Sequence, residues 1–132
     1  MLVYKAPHAQ PMKFHLKHIG INPGSGDDAL RIASLFCIAF GFPCKPGNSS
    51  VFAGDAIEVM RKDGPGEKGH IAFETPSLES AITYLNSIGI QVNMDTAKYT
   101  GTGNLKAVYL KDDFGGFAVH LLKKEEETHD FA

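Results

Sequence analysis

The stretch GHIAFETPSLESAITYLNSIGI, residues 69–90, predicts a strand followed at once by an amphipathic helix, and this unit decides the fold. GHIAFE predicts the strand. Thr75 and Pro76 predict the helix start, with Thr75 as the cap and Pro76 at the first helical position, where its missing N–H is not needed. Gly89 is expected to end the helix. The apolar residues of the helix fall on one stripe: Leu78, Ala81, Ile82 and Leu85.

The first half of the chain repeats this order. FHLKHIGIN (14–22) predicts a strand, and DALRIASLFCIAF predicts a helix with Ser25 or Asp27 as its cap and Gly41 as its stop. Two strands follow around SSVFAG and AIEVMR, as strands in IQVN, LKAVYLK and FAVHLLK follow in the second half. The order strand–helix–strand–strand, with room for one more strand in each half, indicates an internal repeat. Apolar residues of the first helix also lie at helical spacing: Ala29, Ile32, Ala33, Phe36, Ala39 and Phe40.

Four polar residues occupy equivalent strands of the two halves: His18, Glu58, His70 and His120. Strand side chains alternate between the two faces, so apolar neighbours can point into one core while these four point away from it. Any one histidine alone is more often a surface or hydrogen-bonded residue. Three imidazoles and one carboxylate on one sheet face suit a divalent metal ion. The core-facing neighbours are Ile19, Ile57, Val59, Ile71, Phe73, Val119 and Leu121.

Length and composition limit the class of protein. A chain of 132 residues is expected to form one domain with a real core. A net charge of −2 and scattered basic residues argue against nucleic acid or a membrane surface as a partner. No apolar run approaches the roughly 20 residues that span a bilayer, and no signal peptide is evident. Cys37 and Cys44 are expected to be buried, reduced thiols. We therefore expect a cytoplasmic protein.

Four segments resemble the vicinal oxygen chelate superfamily of glyoxalases, bleomycin-resistance proteins and extradiol dioxygenases. They are HIGI (18–21), IEVM (57–60), HIAF (70–73) and DFGGFAVHLL (113–122). The last is similar to the superfamily's terminal signature Asp-Pro-x-Gly-Asn-x-x-Glu, with His120 where the glutamate usually stands. NSSVFAGDAIEVM and LKAVYLKDDFGGFAVHLL resemble most closely the glyoxalase-like domain fused to some bacterial keto-deoxy-phosphogluconate aldolases.

The resemblance implies an α+β, glyoxalase-like fold: two βαβββ modules, about 13–62 and 69–123, whose curved sheets enclose a metal site. These modules would form a single domain over 13–123, between a flexible extension (1–12) and a charged tail (124–132). In many relatives two chains pair and share each site. Here a homodimer would combine His18 and Glu58 of one chain with His70 and His120 of the other, although a single-chain site stays open.

The implied cofactor is a divalent metal, with Ni, Zn, Co, Mn and Fe(II) all compatible with ligands His18, Glu58, His70 and His120. Such an ion acts as a Lewis acid on a small 2-oxo or 2-hydroxy acid, so we expect a lyase or isomerase. His120 argues against true glyoxalase I activity, because a coordinated imidazole cannot also serve as the proton-shuttling base. Glu58 is then the candidate catalytic base.

Two other functions stay open from the sequence. The chain could bind a small molecule without turnover, as bleomycin-resistance proteins do, or could be a regulatory domain associated with an aldolase. Asn48, Ser49 and Ser50 could line the cavity or form an ordinary turn. Arg61 or Lys106 could pair with a substrate carboxylate or phosphate, although a solvated surface role is as well supported.

Overall fold

The computed structural model of the chain describes residues 12–25 and 28–125. The predicted extension up to residue 11, the possible cap Asp27 and the tail beyond residue 125 lie outside the described residues. The described residues form eight strands and two helices. In chain order these are β1 (His15–Ile21), α1 (Ala29–Phe40), β2 (Cys44–Pro46), β3 (Ser50–Ala53), β4 (Ile57–Met60), β5 (Gly69–Thr75), α2 (Leu78–Ser87), β6 (Val92–Tyr99), β7 (Leu105–Leu110) and β8 (Phe117–Lys123).

All eight strands belong to one mixed sheet, in the order β2-β3-β4-β1-β5-β8-β7-β6. Each half of the chain supplies four neighbouring strands and one helix, which is the predicted βαβββ module. Within the modules, β1 pairs with β4 and β5 pairs with β8, both in parallel. The modules join through antiparallel pairing of β1 with β5. The predicted α+β fold is confirmed.

Two apolar clusters, one under each helix, replace the single core that the sequence analysis expected. α1 contacts β3 and β4, and α2 contacts β7 and β8. The central pair β1 and β5 lies between the helices, so Ile19 remains 37% exposed and Ile71 is only half-buried. The buried residues of the first cluster are Ala29, Ala33, Val51 and Val59. Those of the second are Leu78, Leu85, Leu105, Val108, Leu110, Val119 and Leu121.

The first helix departs from the prediction in its N-cap residue and in the exposure of its last turn. Asp28 is the N-cap residue of α1 in place of the predicted Ser25, and its side chain makes no capping bond. Its N–H donates a hydrogen bond to the carbonyl of Ser25. Gly41 ends the helix in the left-handed region, with φ 76°, as expected. The predicted apolar stripe is buried only at its start. Ala39 and Phe40 are exposed, Phe40 by 68%, whereas Ala29 and Ala33 near the start of the helix are buried.

Neither cysteine is buried, which corrects the prediction. Cys37 is half-buried on α1 and Cys44 is exposed on β2, and both are free thiols. β2 is the outermost strand of the sheet, and its three residues are exposed although α1 contacts the strand. The apolar sequence neighbours of Cys44 therefore did not predict its exposure at this edge of the sheet. No helix in the described part of the chain has the length and apolar character needed to cross a membrane.

Ser77, and not Thr75, caps α2. Ser77 is extended (φ −138°), and its Oγ accepts a hydrogen bond from the N–H of Ser80 at 3.3 Å. Thr75 is the last residue of β5, where its carbonyl accepts a hydrogen bond from Lys124 N–H at 2.8 Å. The prediction was wrong because pairing with β8 keeps Thr75 in the strand. The Oγ1 of Thr75 is buried without a hydrogen-bond partner in the described part of the chain.

Two substitutions distinguish these roles. Ser77→Ala should lower the free energy of unfolding by about 1 kcal/mol, because it removes the cap of α2. Thr75→Val should leave it unchanged or raise it by up to about 1 kcal/mol, because it removes an unpaired buried hydroxyl at nearly constant volume. Urea unfolding of both variants beside the wild type measures the difference. The reverse order of effects would restore Thr75 as the cap.

Candidate metal centre

Strand register places the four predicted site residues in two neighbouring rows on the sheet face opposite the helices. The Gly20 row crosses five strands through Phe52, Glu58, Gly20, His70 and Ala118. The Ala72 row crosses four strands through His18, Ala72, His120 and Tyr109. Neighbouring strands stand about 4.8 Å apart, so residues two strands apart in a row can meet only through their side chains.

Three of the four predicted residues meet around one point within a single chain. His18 Nε2 and His70 Nε2 are 3.1 Å apart. The Oε1 of Glu58 lies 3.3 Å from the first and 3.2 Å from the second. The three atoms thus form a nearly equilateral triangle, here called the donor triangle. Among the described residues, the possible metal ligands that lie close together are the three residues of the donor triangle, and all three belong to one chain.

Gly20 leaves the space that the His70 ring occupies. It lies between Glu58 and His70 in the Gly20 row, and a Cβ at this position would stand 2.0 Å from His70 Cε1, 2.3 Å from Nδ1 and 2.6 Å from Nε2. His70 is buried, and its Nδ1 has no hydrogen-bond partner among the described residues. Because Gly20 on β1 has no side chain, Glu58 on β4 and His70 on β5 can reach each other across that strand.

Glu58 is held as a carboxylate by its partners. Burial alone would raise its pKa, but hydrogen bonds from His18, His70 and Ser50 outweigh burial and hold the pKa well below the usual glutamate value. Ser50 Oγ donates to Oε2 at 2.7 Å, which leaves Oε1 to the two imidazoles. Such a carboxylate is a good ligand and a weak base. The geometry therefore favours Glu58 as a ligand over the predicted catalytic base, a role that stays untested.

His120 lies beside the donor triangle and is not part of it. Its ring stacks on Tyr109, with centroids 4.0 Å apart and planes 2° apart. It also faces the edge of His70, with centroids 6.1 Å apart. Burial, followed by electrostatic interaction with His70, His18 and Lys98, lowers the pKa of His120 to about 4. Burial and the charge of Glu58 together raise the pKa of Tyr109.

The donor triangle fits a divalent metal ion. Two ligands that stand about 2.0–2.2 Å from an ion at angles of about 90–109° are separated by about 2.8–3.6 Å. All three edges, from 3.1 to 3.3 Å, fall in that range. Imidazole nitrogen and carboxylate oxygen are ligands that Zn, Ni, Co, Mn and Fe(II) accept. His18, Glu58 and His70 would hold such an ion.

Several residues around the site were not found from the sequence. Ser50 was named only as one of three possible cavity residues, and Gly20, Phe52 and Tyr109 were missed. Phe52 contacts the edge of His18, with ring centroids 5.8 Å apart. An available signal was the internal repeat, because Phe52 and Tyr109 are aromatic residues that pair directly with Glu58 and His120.

The remaining candidates lie away from the donor triangle. Asn48 and Ser49 are exposed. Arg61 Nε donates to the carbonyl of Gly47 at 2.8 Å, which ties it to the turn before β3. Lys106 is exposed on β7. Among the described residues, none of these four side chains contacts Glu58 or the two imidazoles.

Comparison with known proteins identifies the fold. No protein-family model and no curated protein matches the sequence. A hypothetical protein from Bacillus halodurans matches in structure with TM-score 0.58 and 17% identity, over 89% of this chain and 99% of that one. Methylmalonyl-CoA epimerase from Mycobacterium tuberculosis matches with TM-score 0.53 and 18% identity, over 85% and 89%. The Streptomyces coelicolor epimerase, in complex with 2-nitronate-propionyl-CoA, matches with TM-score 0.56 and 16% identity, over 85% and 98%.

The chain has the vicinal oxygen chelate fold. Methylmalonyl-CoA epimerase is a member of that superfamily, and the likeness extends over both βαβββ modules. The resemblance on which the sequence analysis relied is thereby confirmed at the level of fold. The narrower resemblance to the aldolase-fused domain stays a prediction.

Gly20 provides a test of the site within this fold. Gly20→Ala should displace the His70 ring and weaken metal binding by about 10-fold or more, because the donor triangle loses one corner. Gly101→Ala is the matched control, since a Cβ there meets nothing within 4 Å. Calorimetric titration with Zn²⁺ measures both. Equal affinity for the two variants would contradict the role assigned to Gly20.

The neutral state of His120 predicts a pH dependence of the metal-free protein. Its folded pKa of about 4 lies below the usual 6.5, so the unfolded chain binds a proton that the folded chain does not. Stability is therefore full above about pH 6.5 and is lost as the pH falls toward 4. Between pH 7 and 4.5, wild type should lose about 1–2 kcal/mol more than His120→Gln. Urea unfolding in the presence of a chelator measures it, and equal losses would contradict the assignment.

Proposed function

We propose that the protein is a metal-dependent isomerase or lyase acting on a small metabolite that presents two neighbouring oxygen atoms. A 2-oxo or 2-hydroxy acid is the substrate class that best fits. The donor triangle of His18, Glu58 and His70 carries this proposal, because its spacing is that of ligands around one ion. Structural likeness to methylmalonyl-CoA epimerases supports isomerisation within this class.

Some residues of the chain would bind the metal ion, and others hold these ligands in position. Glu58 would bring one negative charge to a site of two neutral imidazoles, and Ser50 holds that carboxylate in place through its second oxygen. Three protein ligands leave coordination positions for substrate oxygens. When bound, a divalent ion supplies Lewis-acid polarisation of a carbonyl oxygen. Phe52 contacts His18 on one side of the site, and Tyr109 stacks on His120 on the other.

Substrate size separates two groups of candidates. The Streptomyces coelicolor epimerase is in complex with 2-nitronate-propionyl-CoA, so a carboxylated acyl-CoA thioester belongs in the assay beside free 2-oxo and 2-hydroxy acids. Both groups carry a proton on carbon next to a carbonyl or carboxylate, and both can place two oxygens side by side. Exchange of the carbon-bound proton in D₂O distinguishes free acids from acyl-CoA thioesters as substrates.

Assembly and location stay proposals. The family resemblance is the reason to propose a homodimer, and the composition of the sequence is the reason to propose a cytoplasmic location. The donor triangle forms within one chain, so pairing of chains is not needed to bring these three residues together. Exposed apolar side chains on α1, among them Leu35, Ile38 and Phe40, offer a second copy an apolar surface.

Metal content is the first test. Protein purified without chelators should carry about one transition-metal ion per chain, and His18→Ala/His70→Ala should carry almost none. His15→Ala is the matched control, because His15 is an exposed histidine on the same strand as His18. Elemental mass spectrometry measures the metal content. The molar mass of the same samples in solution shows whether two chains pair. Wild type that stays empty after reconstitution would overturn the proposal.

Turnover is the second test. Metal-loaded wild type in D₂O should exchange the carbon-bound proton of one candidate substrate, as followed by proton NMR, and His18→Ala/His70→Ala should not. Exchange of a free acid or of an acyl-CoA thioester would identify the substrate class. Tight ligand binding without exchange or product would instead favour the non-catalytic binding protein.

A further inference from the structure

We propose that Tyr109 is a positioning residue that holds the His120 imidazole outside the donor triangle, so that His120 faces a bound substrate and is not a resident metal ligand. This inference rests on the proposed metal site and changes the role of its predicted fourth ligand. It rests on a difference between the two halves of the sheet: Glu58 belongs to the donor triangle, whereas its equivalent, His120, stacks on Tyr109.

Strand register relates the halves residue by residue. His18 on β1 corresponds to His70 on β5, and Glu58 on β4 corresponds to His120 on β8. In the Gly20 row, Glu58 pairs with Gly20, and Gly20 pairs with His70. In the Ala72 row, His120 pairs with Ala72, and Ala72 pairs with His18. If the halves behaved alike, His120 would reach His18 as Glu58 reaches His70.

The residue on the intervening strand differs between the rows. Gly20 has no side chain, and the His70 ring fills that space. Ala72 carries a methyl group on the same sheet face as His70, because residues two apart in a strand share a face. Ala72 is fully buried, so its methyl group occupies the equivalent space. The path from His120 toward His18 is therefore narrower than the path from Glu58 toward His70.

The aromatic partners of the two residues also differ. Tyr109 pairs directly with His120 in the antiparallel ladder, where facing side chains stand closest. Its ring stacks flat on the imidazole, with 4.0 Å between centroids. Phe52, the equivalent of Tyr109, instead meets the edge of His18 at 5.8 Å, which leaves Glu58 free to turn inward. Stacking thus fixes the plane of the His120 ring beside the donor triangle.

The outcome is a site of three close donor atoms with a third imidazole, that of His120, next to it. His120 is absent from the group of donor atoms that lie within 4.8 Å of one another in the described part of the chain. No hydrogen bond among the described residues uses its ring nitrogens, although its ring is close to His70. Those nitrogens are left to a ligand bound over the donor triangle.

Metal affinity measured without turnover tests the inference. Co²⁺ dissociation constants and absorption spectra are compared for wild type, His18→Ala, His120→Ala, Tyr109→Phe and Tyr109→Leu. His18→Ala should weaken binding by about 100-fold or more, whereas His120→Ala and Tyr109→Phe should change it by less than about threefold, with the wild-type spectrum retained. In the Tyr109→Leu background, which lacks the stack, adding His120→Ala should weaken binding by about 10-fold, because the freed imidazole can reach the ion.

The outcomes separate this inference from the proposed function. If His18→Ala binds Co²⁺ as tightly as wild type, the proposed metal site is wrong. If His18→Ala and His120→Ala lose affinity alike, the metal site stands and the inference is overturned, because His120 is then a fourth ligand. If His120→Ala has the same small effect in the Tyr109→Leu background as in the wild type, Tyr109 does not hold the ring aside, and its role is overturned. Circular dichroism confirms folding, and Tyr109→Met replaces Tyr109→Leu if the latter does not fold.

Discussion

The antiparallel pairing of β1 with β5 is the constraint on which the rest of the structure depends. It joins two four-stranded modules into one sheet and sets the register that places Gly20 opposite His70. A slip of one residue would send every side chain of one module to the other face. The apolar clusters under α1 and α2 oppose such a slip, because each buries the alternate residues of its own strands. Packing beneath the helices therefore fixes the rows from which the site is built.

Electrostatics then select which side chains of those rows meet. A half-buried carboxylate without partners would be costly, and each charge-assisted hydrogen bond contributes about 1.5–3 kcal/mol. Glu58 receives hydrogen bonds from Ser50, His18 and His70, and these outweigh the cost of burial. Two imidazoles and one carboxylate oxygen thereby gather at the spacing of ligands around a single ion. His120 gains its contact from the face of Tyr109 instead, and its neutral ring remains at the edge of the site.

Departures from the predicted elements share a cause, which is that local patterns do not report what covers a surface. Thr75 has the properties of a helix cap, yet β8 pairs with it and extends β5, so the cap moves to Ser77. Phe40 continues a helical stripe but is exposed at the end of α1. Cys44 lies among apolar residues but on the edge strand. In each case capping or burial depends on a neighbour that is distant in the sequence, or on the lack of such a neighbour among the described residues.

The sequence by itself predicted two strand–helix–strand–strand repeats and a sheet face shared by His18, Glu58, His70 and His120, and its resemblance to the vicinal oxygen chelate superfamily implied the βαβββ modules of an α+β fold. Period-two and helical spacing are local properties that a single chain carries, and the internal repeat placed the four residues in equivalent strands. Only the tertiary structure decided that one chain assembles the donor triangle, that Gly20 makes room for His70, and that His120 stacks on Tyr109. These outcomes depend on cross-strand register and on the volume of one side chain between two others, which are set when distant strands pair.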